Sequence, residues 1–218
     1  MDKKQHYQHL LILGGAGRAG LSLLEQALER GYRVTAVIRN PEQVSLPESP
    51  GLTVIAGDIC DPAVVAKAMG SGVDAVLSTL GVFIKKPGTP LTDMTGPILE
   101  AMHDEGVSRI VCMSSLGVGD TRKLGNLTVR YVTGVILRHV LADKQCQENL
   151  LEQSGLDWTI LRPPRIIDTS TSGDYLRWRM PLGKQRPRWK ISKYDAAREM
   201  LELLSNPETI GQTWQISN

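Results

Sequence analysis

The stretch "LLILGGAGRAGLSLL", Leu10 to Leu24, holds four glycines, at positions 14, 15, 17 and 20. Glycine at this density costs backbone entropy, so either the chain has an awkward turn to make or something must approach its backbone closely. Gly14, Gly17 and Gly20 read G-x-x-G-x-x-G, and Gly15, Gly17 and Gly20 also satisfy G-x-G-x-x-G. Between a strand and a helix, that spacing is the fingerprint of a dinucleotide site. One glycine makes the tight turn, one admits pyrophosphate to the backbone, and one lets helix pack on strand. The helix N-terminus adds amide donors and positive potential. Arg18 and Ala19 belong to the same loop and are grouped with Gly14, Gly17 and Gly20 as cofactor-binding residues. The alternative is a glycine-rich turn that binds nothing.

The end of the second strand selects the dinucleotide. An Asp or Glu there would serve the ribose hydroxyls of NAD. The sequence "VTAVIRN" has no acid and ends with Arg39. A guanidinium pairs with a 2′-phosphate through two parallel hydrogen bonds, whereas a carboxylate would repel it. With Arg18 assisting, NADP(H) is the expected cofactor. The alternative for Arg39 is a solvated loop charge. Further on, "SRIVCMSS" ends in Ser114 and Ser115, two hydroxyls at the C-terminal edge of a central strand. They are placed to donate to a substrate carbonyl or ring oxygen. Their alternative is hydrogen bonding to the local backbone.

Strand and helix signals alternate around these residues. "HLLIL", "YRVTAVIR", "LTVIAGD", "DAVLSTLG", "SRIVCMSS" and "DWTILRP" read as strands. "GLSLLEQALERG", "AVVAKAMG" after an Asp61-Pro62 cap, and "TGPILEAMHDEG" read as helices. A single long helix is expected from about Thr128 to Ser154, and Ser192 caps a last helix before a closing strand "TWQIS". Helices between apolar strands mean crossovers and a mostly parallel sheet covered on both faces. The expectation is one doubly wound α/β Rossmann domain over residues 1–218, with a small C-terminal portion on the substrate side. The loosest segments, Phe83 to Pro90 and Asp168 to Pro187, follow strand ends, where such sheets bind ligands.

Composition narrows the function. Of 218 residues, 25 are Lys or Arg and 23 are Asp or Glu, which argues against a nucleic-acid binder. The apolar run near the N-terminus is too short for a signal peptide. The most apolar window, "YVTGVILRHVLA", is interrupted and far short of a span, so no membrane partner is expected. Three separated cysteines suit a reducing, cytoplasmic setting, with Cys112 a small buried hydrophobe. The four histidines are too scattered for a metal site. "RWRMPLGKQRPRWK" could superficially stack nucleic acid, but a lid over the cofactor or a lip for an acidic substrate suits the charge balance better.

The ordered set "GGAGRAG", "VTAVIRNP", "GDICDP", "CMSSLGVG", "ADKQCQENLLEQSGLDWTILRPP" and "ISKYDAAREML" resembles the atypical short-chain dehydrogenase/reductases. Within them it is most similar to the flavin reductase/biliverdin reductase B-like, NmrA-related group. The resemblance implies that Asp58 and Ile59 lie by the adenine, and that Thr79, Leu80 and Gly81 run beside the ribose and nicotinamide. It implies that Ser115, with Ser114, faces nicotinamide and substrate, and that Pro163 and Pro164 flank the carboxamide. Lys144 matches a lysine that some members use on the nicotinamide ribose, and is grouped with the two serines as catalytic. Its alternative is an exposed charge paired with Glu148. The usual Tyr-x-x-x-Lys is absent, because position 140 is Val. Arg165 stands where the flavin reductase branch has histidine; it either anchors an anionic substrate group or is a solvated loop arginine. The resemblance implies an NADPH-dependent reductase passing hydride to a flavin, tetrapyrrole, quinone or carbonyl compound. Its alternative is a non-catalytic NAD(P)-binding sensor of the NmrA type.

Overall fold

The computed structural model describes residues 7–169, 173–183 and 187–218. Strands β1 (His9–Leu13), β2 (Arg33–Ile38), β3 (Leu52–Ala56), β4 (Ala75–Ser78), β5 (Arg109–Met113) and β6 (Asp157–Arg162) pair in parallel, in the order 3-2-1-4-5-6. The order reverses direction at β1, which has β2 on one side and β4 on the other. That reversal opens a crevice at the strands' C-terminal ends, where doubly wound sheets take ligands. β7 (Arg165–Ile167) and β9 (Lys190–Ser192) form a separate parallel pair, β10 (Gln212–Ser217) extends the main sheet parallel to β6 as the expected closing strand, and β8 (Leu176–Trp178) lies antiparallel beyond it.

Alternation along β1 assigns the two layers. Leu10 and Ile12 face a core shared with α1 (Arg18–Glu29) and α6 (Lys193–Ser205). Leu11 and Leu13 face the other core, with α2 (Pro62–Met69) and α3 (Pro90–Asp104). All four leucine and isoleucine side chains are fully buried. The caps read from sequence form as expected: Asp61 accepts from the Ala63 amide, and Ser192 Oγ accepts from the Asp195 amide.

Three local expectations change. The long helix is broken: α4 (Leu127–Tyr131) passes into a π-helical turn over Val132–Ile136 before α5 (Arg138–Glu152). Thr133 Oγ1 bonds back to the Val129 carbonyl and Gly134 follows, two features that loosen a helical ladder. Helix α3 starts at Pro90, five residues before the expected Thr95, because proline suits the first helical position. The segment read as a loop or lid after Asp168 contains β8, whose Trp178 is buried. Its Arg177 and Arg179 lie over the Trp214 ring at 5.0 and 5.5 Å, so these cations are occupied at the far edge of the sheet. Residues 170–172 and 184–186 of that segment lie outside the described residues, as does His6.

Two buried arginines join layers. Arg109 on β5 donates to the carbonyls of Asp157 and Leu203 and to Thr159 and Thr209. Arg162 on β6 donates from Nε and a terminal nitrogen to both carboxylate oxygens of Glu148 on α5, at 3.0 and 2.6 Å, and to Asp120 at 2.6 Å. Glu148 is fully buried. Removing one partner of such a pair strands the other charge in low dielectric. Glu148→Ala is expected to lower the free energy of unfolding by about 3–5 kcal/mol, with Glu148→Gln losing less. Urea titration monitored by circular dichroism checks it; a shift below about 1 kcal/mol would mean that Asp120 alone satisfies Arg162.

Candidate functional site

The glycine loop occupies the crevice floor. Gly14 has a φ of +80°, and an added Cβ would meet Thr79 Oγ1 at 2.8 Å. At Gly20 an added Cβ would lie 2.0 Å from the Gly14 carbonyl oxygen, so backbone packs on backbone with no room for a side chain. Gly17 is the N-cap of α1 and no side chain caps the helix. The first helical bond runs from the Leu21 amide to the Gly17 carbonyl, which leaves the amides of Arg18, Ala19 and Gly20 ahead of it. An uncapped helix start in a cradle that a Cβ would fill fits a bound pyrophosphate.

Two cavities flank this loop. The larger, about 400 Å³, brings Gly17, Arg18, Ala19 and Gly20 together with Thr79, Leu80 and Gly81 from the end of β4. Ser114 and Ser115 after β5, Lys144 on α5, and Pro163, Pro164 and Arg165 after β6 complete its wall. The smaller, about 140 Å³, lies on the other side, lined by Gly14, Arg39, Ile59 and again Leu80. Asp58 sits beside it, paired with Arg39 at 3.2 Å. Sequence reasoning missed Met113 and Ile166 in the larger cavity, and Ala16, Val37, Ile38 and Gly57 in the smaller. Five of the six adjoin an expected residue in sequence and Val37 is two positions from Arg39, so strand-end position was the available signal.

The Arg39–Asp58 pair is exposed on both sides. The Cys60 amide, then Arg39, hold the Asp58 carboxyl below its ordinary pKa. An exposed pair of this kind contributes little stability, so Arg39 is free to exchange Asp58 for a phosphate at small cost.

Both serines line the larger cavity, with different hydroxyl partners. The Ser115 hydroxyl donates to the neighbouring Leu116 carbonyl at 3.0 Å, the local backbone bond that was its alternative. The Ser114 hydroxyl is buried and has no hydrogen-bond partner among the described residues. Lys144 is not an exposed helix charge. It is buried, and its Nζ donates to the Met113 carbonyl at 3.3 Å. Glu148, one turn on, is held by Arg162, so the i,i+4 pairing does not form. An ammonium has three donors, and only this one bond is made among the described residues. Burial pulls the Lys144 pKa down, against smaller opposing pulls from Cys112, Glu148 and Asp143. The same burial pushes the Cys112 thiol up to about 12, which makes it an inert filler.

With that geometry in hand, comparison with known proteins is specific. The model of a family described as NAD(P)H-binding matches residues 14–207. The chain belongs to the NAD(P)H-binding family. This NAD(P)H-binding chain is 27% identical to an uncharacterized chloroplastic protein of Arabidopsis thaliana over 76% of its own length and 61% of the relative's. It is 30% identical to a 3 beta-hydroxysteroid dehydrogenase/Delta 5→4-isomerase of Mycobacterium tuberculosis over 72% of its own length and 46% of that protein's. It therefore spans about half the length of the curated relatives it matches. Among solved structures it is similar to ChuY, an anaerobillin reductase from Escherichia coli O157:H7, with a TM-score of 0.77, 26% identity, and 96% and 97% of the two chains covered. The doubly wound fold and the resemblance to atypical short-chain dehydrogenase/reductases stand with this membership. No helix among the described residues is long and apolar enough to cross a membrane, and none of their His, Cys, Asp and Glu side chains cluster as a metal site.

The depressed Lys144 pKa has a measurable sign. Between its folded and its ordinary value, the unfolded chain binds the proton that the native chain releases. Native stability contributed by this group therefore rises with pH across that window. Lys144→Met is expected to be more stable than the parent at neutral pH, with the gap closing as pH rises toward the ordinary lysine range. Thermal unfolding of both proteins over that range tests it; a constant gap would leave the amine's titration unlinked to folding.

Proposed function

We propose that this chain is an NADPH-dependent reductase that passes hydride to a small acceptor: a flavin, tetrapyrrole, quinone or carbonyl compound. One observation carries the reading. The under-bonded Lys144 amine and the unpartnered Ser114 hydroxyl line the same cavity as the uncapped start of α1. Nearby relatives carry the names reductase and dehydrogenase, which supports redox chemistry in this family. The whole of 1–218 then works as one cofactor-binding domain, with a small molecule rather than nucleic acid as its partner.

A bound nicotinamide supplies the hydride. The amides of Arg18, Ala19 and Gly20 would hold pyrophosphate, and Arg39 would exchange Asp58 for a 2′-phosphate. Asp58 and Ile59 would serve the adenine, Thr79 to Gly81 the ribose and nicotinamide, and Pro163 and Pro164 the carboxamide. Arg165, exposed at the lip, meets an anionic group on the acceptor. Ser114 donates to the acceptor atom that gains charge, with Ser115 joining if its local bond breaks. Lys144 gives that atom a proton and is recharged by water. Its lowered pKa makes it a better acid at neutral pH than a solvated lysine, which offsets the missing tyrosine.

Val140 at the tyrosine position favours the sensor reading, so turnover is the decisive measurement. Purified protein should oxidise NADPH in the presence of at least one of FMN, FAD, biliverdin or a quinone. Lys144→Met is expected to lower kcat by about 10²-fold, and Ser114→Ala by roughly tenfold, with NADPH affinity retained. Tight NADPH binding without oxidation by any acceptor would make the protein a sensor. NADPH should also bind at least about tenfold tighter than NADH, equivalent to about 1.4 kcal/mol, and Arg39→Asp should reverse the order. Equal calorimetric affinities would return Arg39 to its pairing with Asp58.

A further inference from the structure

The most apolar window of the chain begins where the structure leaves it uncovered. Leu127, Tyr131, Val135 and Ile136 are 83%, 61%, 50% and 52% exposed. Among the described residues only Phe83 and Leu176 are comparable large apolar side chains left in the open. Their four-residue spacing makes a continuous stripe along α4 and its π-helical extension. The opposite side of the same segment is used for packing. Val129 lies against Gly125, and Thr133 against Gly117, each close enough to leave no room for a Cβ without movement. The segment is thus apolar on both sides, which is how a helix covered on both sides reads.

Charge indicates what covers it. Residues 121–142 contain Arg122, Lys123, Arg130 and Arg138 and not one Asp or Glu. The remainder of the chain carries two more acidic than basic residues, so the basic excess is local to this segment. Of the flanking acids, Asp143 is buried and accepts from the Leu91 and Thr92 amides at the start of α3, while Asp120, half exposed, is paired with Arg162. A two-fold contact with a second copy would set these cations against their own images. A surface of phosphates would receive them, while the apolar stripe entered the layer beneath and the long side chains snorkelled outward.

We propose that residues 122–138 form a docking face for an anionic phospholipid surface, with Leu127, Tyr131, Val135 and Ile136 entering the headgroup boundary and the four cations meeting lipid phosphates. The protein would lie on the bilayer without spanning it, a different matter from the span excluded above. The face borders a separate cavity of about 360 Å³, whose wall includes Gly117, Arg122, Thr133 and Arg138. The docking proposal itself holds or fails whether or not the chain turns over.

Vesicle sedimentation of the purified chain tests it. Phosphatidylcholine vesicles containing phosphatidylglycerol should pellet the protein, phosphatidylcholine alone should not, and added salt should release it. The combined change Leu127→Gln, Tyr131→Gln and Ile136→Gln should weaken the partition roughly tenfold. Arg130→Glu with Arg138→Glu should do the same. NADPH binding should be intact in both variants, which shows that they fold. Failure to pellet with anionic vesicles, equal pelleting with neutral ones, or unchanged pelleting by both folded variants would overturn the proposal. So would a dimer, seen by sedimentation velocity, that the triple change disperses while vesicles leave the parent unbound; that result gives the face to a second copy.

Discussion

The two-pronged bond between Arg162 and Glu148 sets the geometry on which the larger cavity depends. It ties β6 to α5 at a depth where neither charge has water to fall back on. Such a pair adds little net stability over a well-packed apolar contact, because both ions had to be dehydrated. What it adds is position. The planar fork fixes α5 in rotation as well as distance, and Lys144 stands one turn earlier on that helix. By occupying Glu148 it also denies Lys144 the carboxylate one helical turn away. The amine is left facing the cavity with a single long bond to the Met113 carbonyl. A structural ion pair thereby prepares a chemical group that it does not touch.

Much of this architecture was legible because it rests on local rules. The glycine loop, the six alternating strands and the caps at Asp61 and Ser192 each announce themselves within a few residues. The site residues share one crevice because strand ends in a doubly wound sheet share one edge, so reading the strands correctly nearly places the site. What sequence could not reveal is competition between partners. Lys144 and Glu148 have the spacing of a helical ion pair, and only the approach of Arg162 from another strand overrules it. Ser115 looked the better donor than Ser114, yet its hydroxyl turns to its own backbone while the other finds nothing. The break after Tyr131 had visible causes in Thr133 and Gly134, but neither forces a π turn alone.

The two ends of the crevice are also built on different energetic terms. Arg39 and Asp58 are exposed, weakly paired and easily exchanged. Around Lys144 and Ser114 the polar atoms are dry and under-bonded, so each carries a desolvation cost that a suitable ligand would relieve. On the proposed function, affinity and discrimination would fall to one end of the crevice and reactivity to the other.

That division follows the order of the chain. The loop at Gly14, the end of β2, and Asp58 and Ile59 all come from the first 60 residues, and β1, β2 and β3 pair with one another in sequence order. The opposite wall waits for distant strands: the Ser114 amide bonds the Leu161 carbonyl, and Arg109 reaches Leu203, 94 residues on. Closing such separations costs loop entropy before any contact repays it, and non-local pairing is the slow part of folding. During vectorial synthesis, β1, β2 and β3 emerge well before the wall that faces them. On the proposed function, the nascent chain would therefore hold the parts that grip a nucleotide's adenosine end while the reactive end is still unmade.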